Sequence, residues 1–160
     1  MLKFIFFLIG ILSIHNLYCQ SSFTDNRDKK VYPVQNIDGT IWMKSNLKFN
    51  PNYSSFYYLG ADEVYYSSKQ VIDGSVCPDG WRIPTLEEWK AAEEYIDDLM
   101  SRNGWVNGGQ FKDNGVVGAY WTSTLDSVGK SNYLVKLEQS DVISFELAPD
   151  THANCKCIKE

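Results

Sequence analysis

The segment that most constrains the fold is residues 77–89, with the sequence CPDGWRIPTLEEW. It places a cysteine, an Asp-Gly turn and a tryptophan directly before a helix start. Thr85 is a favourable N-cap, and Glu88 three residues later completes a capping box. Because Pro84 cannot continue a helix backwards, the boundary is sharp. The segment predicts a helix that begins after Thr85, with Trp81 filling the core beside it.

The predicted helix has one apolar face. Its apolar residues recur at the spacings of three and four that a helix requires, and they are Trp89, Ala92, Ile96 and Leu99. Asn103-Gly104 predicts its end. The acidic side chains lie mostly off this face, at Glu87, Glu93, Glu94, Asp97 and Asp98. A solvated face explains them better than a catalytic carboxylate pair does, and Glu87 and Glu88 also suit the positive end of the helix.

Residues 1–14 have the pattern of a secretory signal peptide, in which Lys3 precedes the apolar run FIFFLIGILSI. This run is too short to span a membrane as a helix, which takes about 20 residues. The sequence predicts cleavage between Cys19 and Gln20. The alternative is a lipoprotein acylated at Cys19, although the bulky Tyr18 before it disfavours such a site. In both cases the protein is exported, to the medium, the cell surface or the periplasm.

The rest of the 160-residue chain is long enough for one hydrophobic core. We divide the chain into a signal peptide (1–19), a flexible polar lead-in (20–30) and a single domain (31–160). The net charge of −5 argues against nucleic acid as a partner, because its binders need a basic surface. No second apolar segment reaches membrane-spanning length, so we expect no integral membrane segment after removal of the signal.

Alternating apolar residues around turn signals predict antiparallel strands. The clearest case is a hairpin in which residues 31–34 and 40–43 flank Asp38-Gly39. A second hairpin is predicted to pair residues 133–137 with 143–147. Further strands are predicted at 64–66, at 120–124 around a buried Trp121, and at 155–158 as the closing strand. Residues 50–62 read as a loop, and the glycine-rich 104–118 as turns rather than a phosphate loop.

Several motifs in order resemble the Fibrobacter succinogenes major paralogous domain, a family of secreted and surface proteins of Bacteroidetes-type bacteria. The motifs are Phe23-Thr24-Asp25 with Arg27-Asp28, Trp42-Met43 with Asn46-Leu47, Cys77-Pro78 with Gly80 to Thr85, Tyr120 to Thr124, and Cys157. The resemblance covers residues 23–160. Residues 82–89 are also similar to the helix start of formylglycine-generating-type proteins. Together these resemblances imply an α+β, C-type lectin-like fold with one main helix packed on small antiparallel sheets.

The family resemblance also implies a disulfide between Cys77 and Cys157. Export to an oxidising compartment makes a disulfide the default interpretation. The sequence leaves Cys77–Cys155 open as an alternative, because Cys155 lies two residues from Cys157 and points the same way on a strand. Cys155 departs from the family pattern and leaves an odd count of three after cleavage. It is interpreted as a buried inert thiol, with a pairing or modification site as the alternative.

Three classes of function compete. The first is a non-catalytic binding or structural domain that contacts a cell-surface glycan or protein. Its candidate ligand-stacking rings are Trp105, Tyr53, Tyr57 and Tyr58, although core packing explains most such rings. The second is a calcium-dependent lectin, for which Ala148-Pro149-Asp150 lacks the first ligand and Trp121-Thr122-Ser123 replaces the expected triplet.

The third class is an enzyme, for which the sequence contains few candidate catalytic residues. His152 is the single histidine after the signal peptide, and a nucleophile–base arrangement would have to use it. A glycosidase-type carboxylate pair forms only in three dimensions and stays open as an alternative. We therefore expect a monomeric domain without catalytic residues, metal or cofactor, whose ligand the sequence does not identify.

Overall fold

The computed structural model describes residues 21–50, 56–58, 63–74, 76–125, 127, 132–138, 141–145 and 150–160. The predicted signal peptide, Cys19 and the predicted cleavage position lie outside these ranges. The strands are β1 (Ser22–Thr24), β2 (Val31–Ile37), β3 (Thr40–Met43), β4 (Phe56–Tyr58), β5 (Glu63–Ser67), β6 (Trp81–Arg82), β7 (Trp105–Asn107), β8 (Gln110–Lys112), β9 (Gly118–Leu125), β10 (Asn132–Glu138), β11 (Asp141–Phe145), β12 (Thr151–Ala153) and β13 (Ile158–Lys159). The α-helices are α1 (Ser68–Ile72), α2 (Leu86–Ala91) and α3 (Ile96–Leu99), with a 3₁₀ turn at Glu93–Tyr95.

The strands form three antiparallel sheets. One has the order β1-β2-β3-β13-β6, the second β4-β5-β12-β7-β8, and the third β11-β10-β9. An isolated parallel bridge between Tyr120 and Asn154 connects β9 to the segment after β12. Mostly antiparallel sheets with a few short helices make this an α+β arrangement.

The first hairpin forms where the sequence predicts it. Ile37 pairs with Thr40, which leaves Asp38 and Gly39 as a two-residue turn. Both have positive φ values, 48° and 90°, as this tight hairpin turn requires. The second predicted hairpin is also present as the antiparallel pair β10–β11.

The predicted helix starts correctly but is not continuous. It breaks into α2, the 3₁₀ turn and α3, with Ala92 as the first break. Its acidic residues repeat at four-residue intervals (Glu93 with Asp97, Glu94 with Asp98), and like charges at that spacing destabilise an α-helix. The apolar face is nonetheless buried as predicted: Trp89, Ala92, Ile96 and Leu99 are each at most 1% exposed.

Within the described residues, the core consists of two hydrophobic clusters. The helical residues belong to the second cluster, where Trp89 contacts Trp42 and Tyr120 at ring-centroid distances of 5.0 and 5.1 Å. Trp81 is buried but belongs to the first cluster, with its ring 4.7 Å from that of Phe23. The expectation that Trp81 packs beside the helix is therefore wrong, because strand β6 carries its side chain into the other cluster.

Four segments differ from the sequence prediction. The lead-in contains β1, which pairs with β2, so it is part of a sheet. The loop predicted over 50–62 contains β4, and the glycine-rich segment contains the β7–β8 hairpin. The closing strand is shorter than predicted: only Ile158–Lys159 is a strand. Residues 155–157 have irregular backbone, in which the Cys157 and Cys155 carbonyls accept hydrogen bonds from the backbone N–H groups of Met43 and Leu47. Strands this short depend on partners that are distant in the sequence, so their own residues show only a weak pattern of alternating apolar side chains.

Candidate functional site

A surface hollow of about 210 Å³ lies beside the bond between Cys77 and Cys157. Its lining is Val71, Gly74, Val76, Cys77, Trp81, Arg82, Ile83, Ser123 and Glu160. The walls come from α1, from β6 and from the end of β9, so three separate elements form it. Its larger apolar lining side chains are buried, and we call them its floor. Ser123 and Glu160 are exposed and Arg82 is half-buried, and we call these three its rim. We refer to it as the disulfide hollow.

The turn before β6 fixes the central wall of this hollow. Trp81 N–H donates to the Pro78 carbonyl at 3.0 Å, and Gly80 has the positive φ of 75° that lets the chain reverse there. The Trp81 ring then packs on Phe23, and β6 pairs with β13. The indole is thus held in place before any ligand arrives.

Arg82 and Glu88 form a two-pronged ion pair at the rim. The two guanidinium nitrogens donate to the two carboxylate oxygens at 2.6 and 2.8 Å. Glu88 also accepts from the Thr85 backbone N–H, while the Thr85 hydroxyl accepts from that of Glu88. These bonds, led by those from Arg82, lower the pKa of Glu88 to about 2. Glu88 is therefore ionised at neutral pH, and it is not suited to act as a general acid.

The predicted disulfide is present. Cys77 and Cys157 are bonded with their Cα atoms 6.0 Å apart, across a sequence separation of 80. Cys155 is a free thiol with no exposed surface, and burial raises its pKa well above the usual value. Because the thiolate is the reactive form, this cysteine is inert in the folded state.

A buried polar cluster, which the sequence does not reveal, lies near the C-terminus. We call Asn46, Glu63, Asn154 and Lys156 the Lys156 cluster. Lys156 is completely buried, and its Nζ donates to the Lys44 carbonyl at 2.5 Å. The same nitrogen lies 5.4 Å from the Tyr120 ring centroid. Burial lowers the pKa of Lys156 to about 7, against the opposing attraction of Glu63.

The other residues predicted from sequence are not brought together into one site. His152 lies on β12, half-buried, with Nδ1 3.3 Å from the Asp150 carbonyl oxygen. Trp105 is half-buried on β7, and Lys136 Nζ lies 5.7 Å from its ring centroid. Tyr57 and Tyr58 belong to β4. Tyr53, Ala148 and Pro149 lie outside the described residues.

The carboxylates that are described have structural partners or face solvent. Burial alone would raise the pKa of Asp25, but hydrogen bonds and charge from Arg27 outweigh it and lower that pKa. Glu87 pairs with Lys90 at 2.9 Å on the exposed side of α2. The remaining acidic residues of the helical segment, Glu93, Glu94, Asp97 and Asp98, are exposed.

Within the described ranges, no group of three or more histidine, cysteine or acidic side chains is placed to hold a metal ion. None of the helices in that part of the chain has both the length and the apolar character to cross a membrane. Comparison of the chain with protein-family models, with curated proteins and with solved structures gives no match.

Proposed function

We propose that this chain is an exported, non-catalytic binding domain and that the disulfide hollow is its ligand site. One observation carries the proposal: a hollow of about 210 Å³ combines an apolar floor that includes Trp81 with polar groups on its rim. Sites for small ligands are concave and mostly apolar, with a few placed polar groups. A volume of this size suits one ring of a glycan or one large side chain of a protein partner.

The rim has the chemistry needed to orient such a ring. Arg82 supplies guanidinium donors, Ser123 an exposed hydroxyl and Glu160 a carboxylate acceptor. Donors and acceptors around an aromatic surface are what recognition of sugar hydroxyls requires. We therefore take glycans as the first ligand class to test.

Export and family membership belong to the same proposal. The signal-peptide pattern of residues 1–19 supports secretion, with lipid attachment at Cys19 as the alternative. The Cys77–Cys157 bond suits an oxidising compartment. The motif order supports membership of the Fibrobacter succinogenes major paralogous domain family. A C-type lectin-like fold is the finer proposal, which the stapled antiparallel sheets support.

The shifted pKa values support the proposal that the domain is not catalytic. Those of Asp25 and Glu88 are lowered by arginine partners, and that of Cys155 is raised by burial. Each of these shifts stabilises the fold or protects the group. None of these three shifts prepares a group for proton transfer or attack at neutral pH. Lys156, whose pKa is about 7, is completely buried and does not line the disulfide hollow.

The test is a screen of the mature protein against plant and bacterial glycans, with and without calcium. Ser123→Trp fills the disulfide hollow, whereas Ser127→Trp places the same ring on a neighbouring exposed position outside its lining. We expect ligands of the wild type to bind Ser127→Trp normally and Ser123→Trp at least tenfold more weakly. Equal binding by both variants would exclude the hollow as the site. Absence of glycan binding would exclude glycans as the ligand class.

A further inference from the structure

The Lys156 cluster contains buried polar atoms without protein partners. The side-chain oxygens Asn46 Oδ1 and Asn154 Oδ1 accept no hydrogen bond, although the two residues are 1% and 0% exposed. Lys156 Nζ has three protons and donates to one acceptor, the Lys44 carbonyl. Buried donors and acceptors left unpaired are rare, because each costs much of its desolvation energy.

Hydrogen bonds between three chain segments make these residues neighbours. Leu47 N–H donates to the Cys155 carbonyl at 2.8 Å, so Asn46 lies next to the segment that contains Asn154 and Lys156. The other half of each amide group is fixed on β5. Asn46 Nδ2 donates to Glu63 Oε2 at 2.9 Å, and Asn154 Nδ2 donates to the Val64 carbonyl at 3.0 Å.

Glu63 and Lys156 attract each other without touching. The carboxylate favours the charged form of the lysine, but the direct partners of its oxygens are Asn46 and Lys48. Both side chains belong to the described part of the chain, and no direct ion pair joins them there. Polar groups held at such a separation can be bridged by a water molecule.

We propose that the Lys156 cluster is a binding site for buried water, held between the Lys156 amine and the amide oxygens of Asn46 and Asn154. A single water can accept one proton from Lys156 and donate its own two protons to the two oxygens. This gives three hydrogen bonds, the usual number for an internal water. It satisfies both amide oxygens and a second proton of the Lys156 amine, so that the neutral amine, which has two protons, is fully paired.

The site makes the protein sensitive to pH near neutrality. The groups that face Lys156 are Lys44, Glu63 and Tyr120, with Lys48 behind Glu63. Above a pH of about 7 the folded state gives up the Lys156 proton, whereas the unfolded chain keeps it to about 10.5. The unfolding equilibrium constant therefore falls by up to tenfold per pH unit between pH 7 and 9.

The water is tested by NMR, through magnetisation transfer from water to the side-chain amide protons of Asn46 and Asn154. Lys156→Met removes the donor, and Lys159→Met removes an exposed lysine of the same segment as the control. We expect a long-lived water in the wild type and in Lys159→Met, and its loss in Lys156→Met. No long-lived water at either amide, or one that persists in Lys156→Met, would overturn the proposal.

The pH dependence gives a second test on the same proteins. The unfolding constant of the wild type and of Lys159→Met should fall by up to tenfold per pH unit from pH 7 to 9, and that of Lys156→Met should stay nearly level. If Lys156→Met does not fold, NMR titration of the Lys156 Cε signal in the wild type decides. A midpoint below about 9 supports the site, in line with the lowered pKa of about 7, and a midpoint at or above about 9, towards the ordinary lysine value, overturns it.

Discussion

Two polar arrangements, one at the surface and one in the core, use the same kinds of groups in opposite ways. The first, which we call the helix start, consists of Arg82, Thr85 and Glu88. Its ion pair is part-exposed, with Arg82 and Glu88 side chains 41% and 30% exposed, and bonds within the helix start satisfy its carboxylate and hydroxyl. The Lys156 cluster is buried and leaves two amide oxygens unpaired.

The difference shows how sequence distance governs the completeness of a polar network. The helix start closes within seven residues, so each partner arrives with the local backbone that positions the other. The Lys156 cluster joins residues from 46 to 156, and core packing sets their separations. Two of its amide oxygens have no protein partner, and a water molecule is suited to pair with them.

The largest expected effect comes from removing the bond that ties the two regions together. Replacing both Cys77 and Cys157 by alanine should lower the free energy of unfolding by about 4–5 kcal/mol, since it releases a closed loop of about 80 residues. Urea denaturation measures the loss. Cys155→Ala is the control, with an expected loss of about 1 kcal/mol from one missing sulfur. If the double variant loses less than about 2 kcal/mol of its free energy of unfolding, the predicted contribution of the disulfide is contradicted.

An intermediate effect on the free energy of unfolding is expected at alkaline pH, where buried groups of the core titrate. The folded pKa of Cys155 lies above its unfolded value of 9.0, so its contribution to stability is complete below pH 9 and decreases above it. That loss should offset the continuing gain from Lys156, and the wild-type free energy of unfolding should level off between pH 9 and 10. In Cys155→Ala the rise should continue, leaving a difference in slope of about 1.4 kcal/mol per pH unit. Identical profiles above pH 9 would refute this assignment.

The smallest effect is expected at the helix start. Glu88→Gln should cost about 1 kcal/mol at pH 7, because solvent screens a part-exposed pair. The pKa of Glu88 is lowered from 4.5 to about 2, so this stabilisation is present above pH 4.5 and disappears as the pH falls towards 2. Thermal unfolding at pH 7 and pH 2 measures it. The control is Glu87→Gln, which breaks an exposed pair with Lys90 and should change the thermal stability little at either pH. An equal loss of stability in both variants would show that the contact of Glu88 with Arg82 adds nothing beyond an ordinary surface pair.

The comparison also explains what could be predicted from the sequence. The capping box, the Asp38-Gly39 hairpin and the buried helical face follow local rules, and the structure confirms them. The prediction of one continuous helix was wrong, although a local signal against it, the like charges of Glu93 with Asp97 and of Glu94 with Asp98, is present in the sequence. The position of Trp81 depends on which cluster β6 faces, a long-range property that the sequence does not show.

The candidate sites follow the same division. The sequence supplied Cys77, Trp81 and Arg82, but not the hollow that they form with Val71 and Ser123, because three elements must meet to make it. One feature of the sequence indicates the direction of the Lys156 side chain. Lys156 lies between Cys155 and Cys157, so the alternation of an extended chain places it on the face opposite to the two cysteines. Only packing could show that this opposite face is also buried.

The alternation along the last residues has a consequence for how the protein can vary. Ala153, Cys155 and Cys157 face the first hydrophobic cluster, while Lys156 reaches towards Tyr120 and Ile158 belongs to the second. Insertion or deletion of one residue here would exchange the two sets of side chains, moving the amine into the sulfur-rich layer and a cysteine away from its bond. Divergent versions of this domain should therefore change freely in loop length elsewhere, while the spacing of this short segment stays fixed.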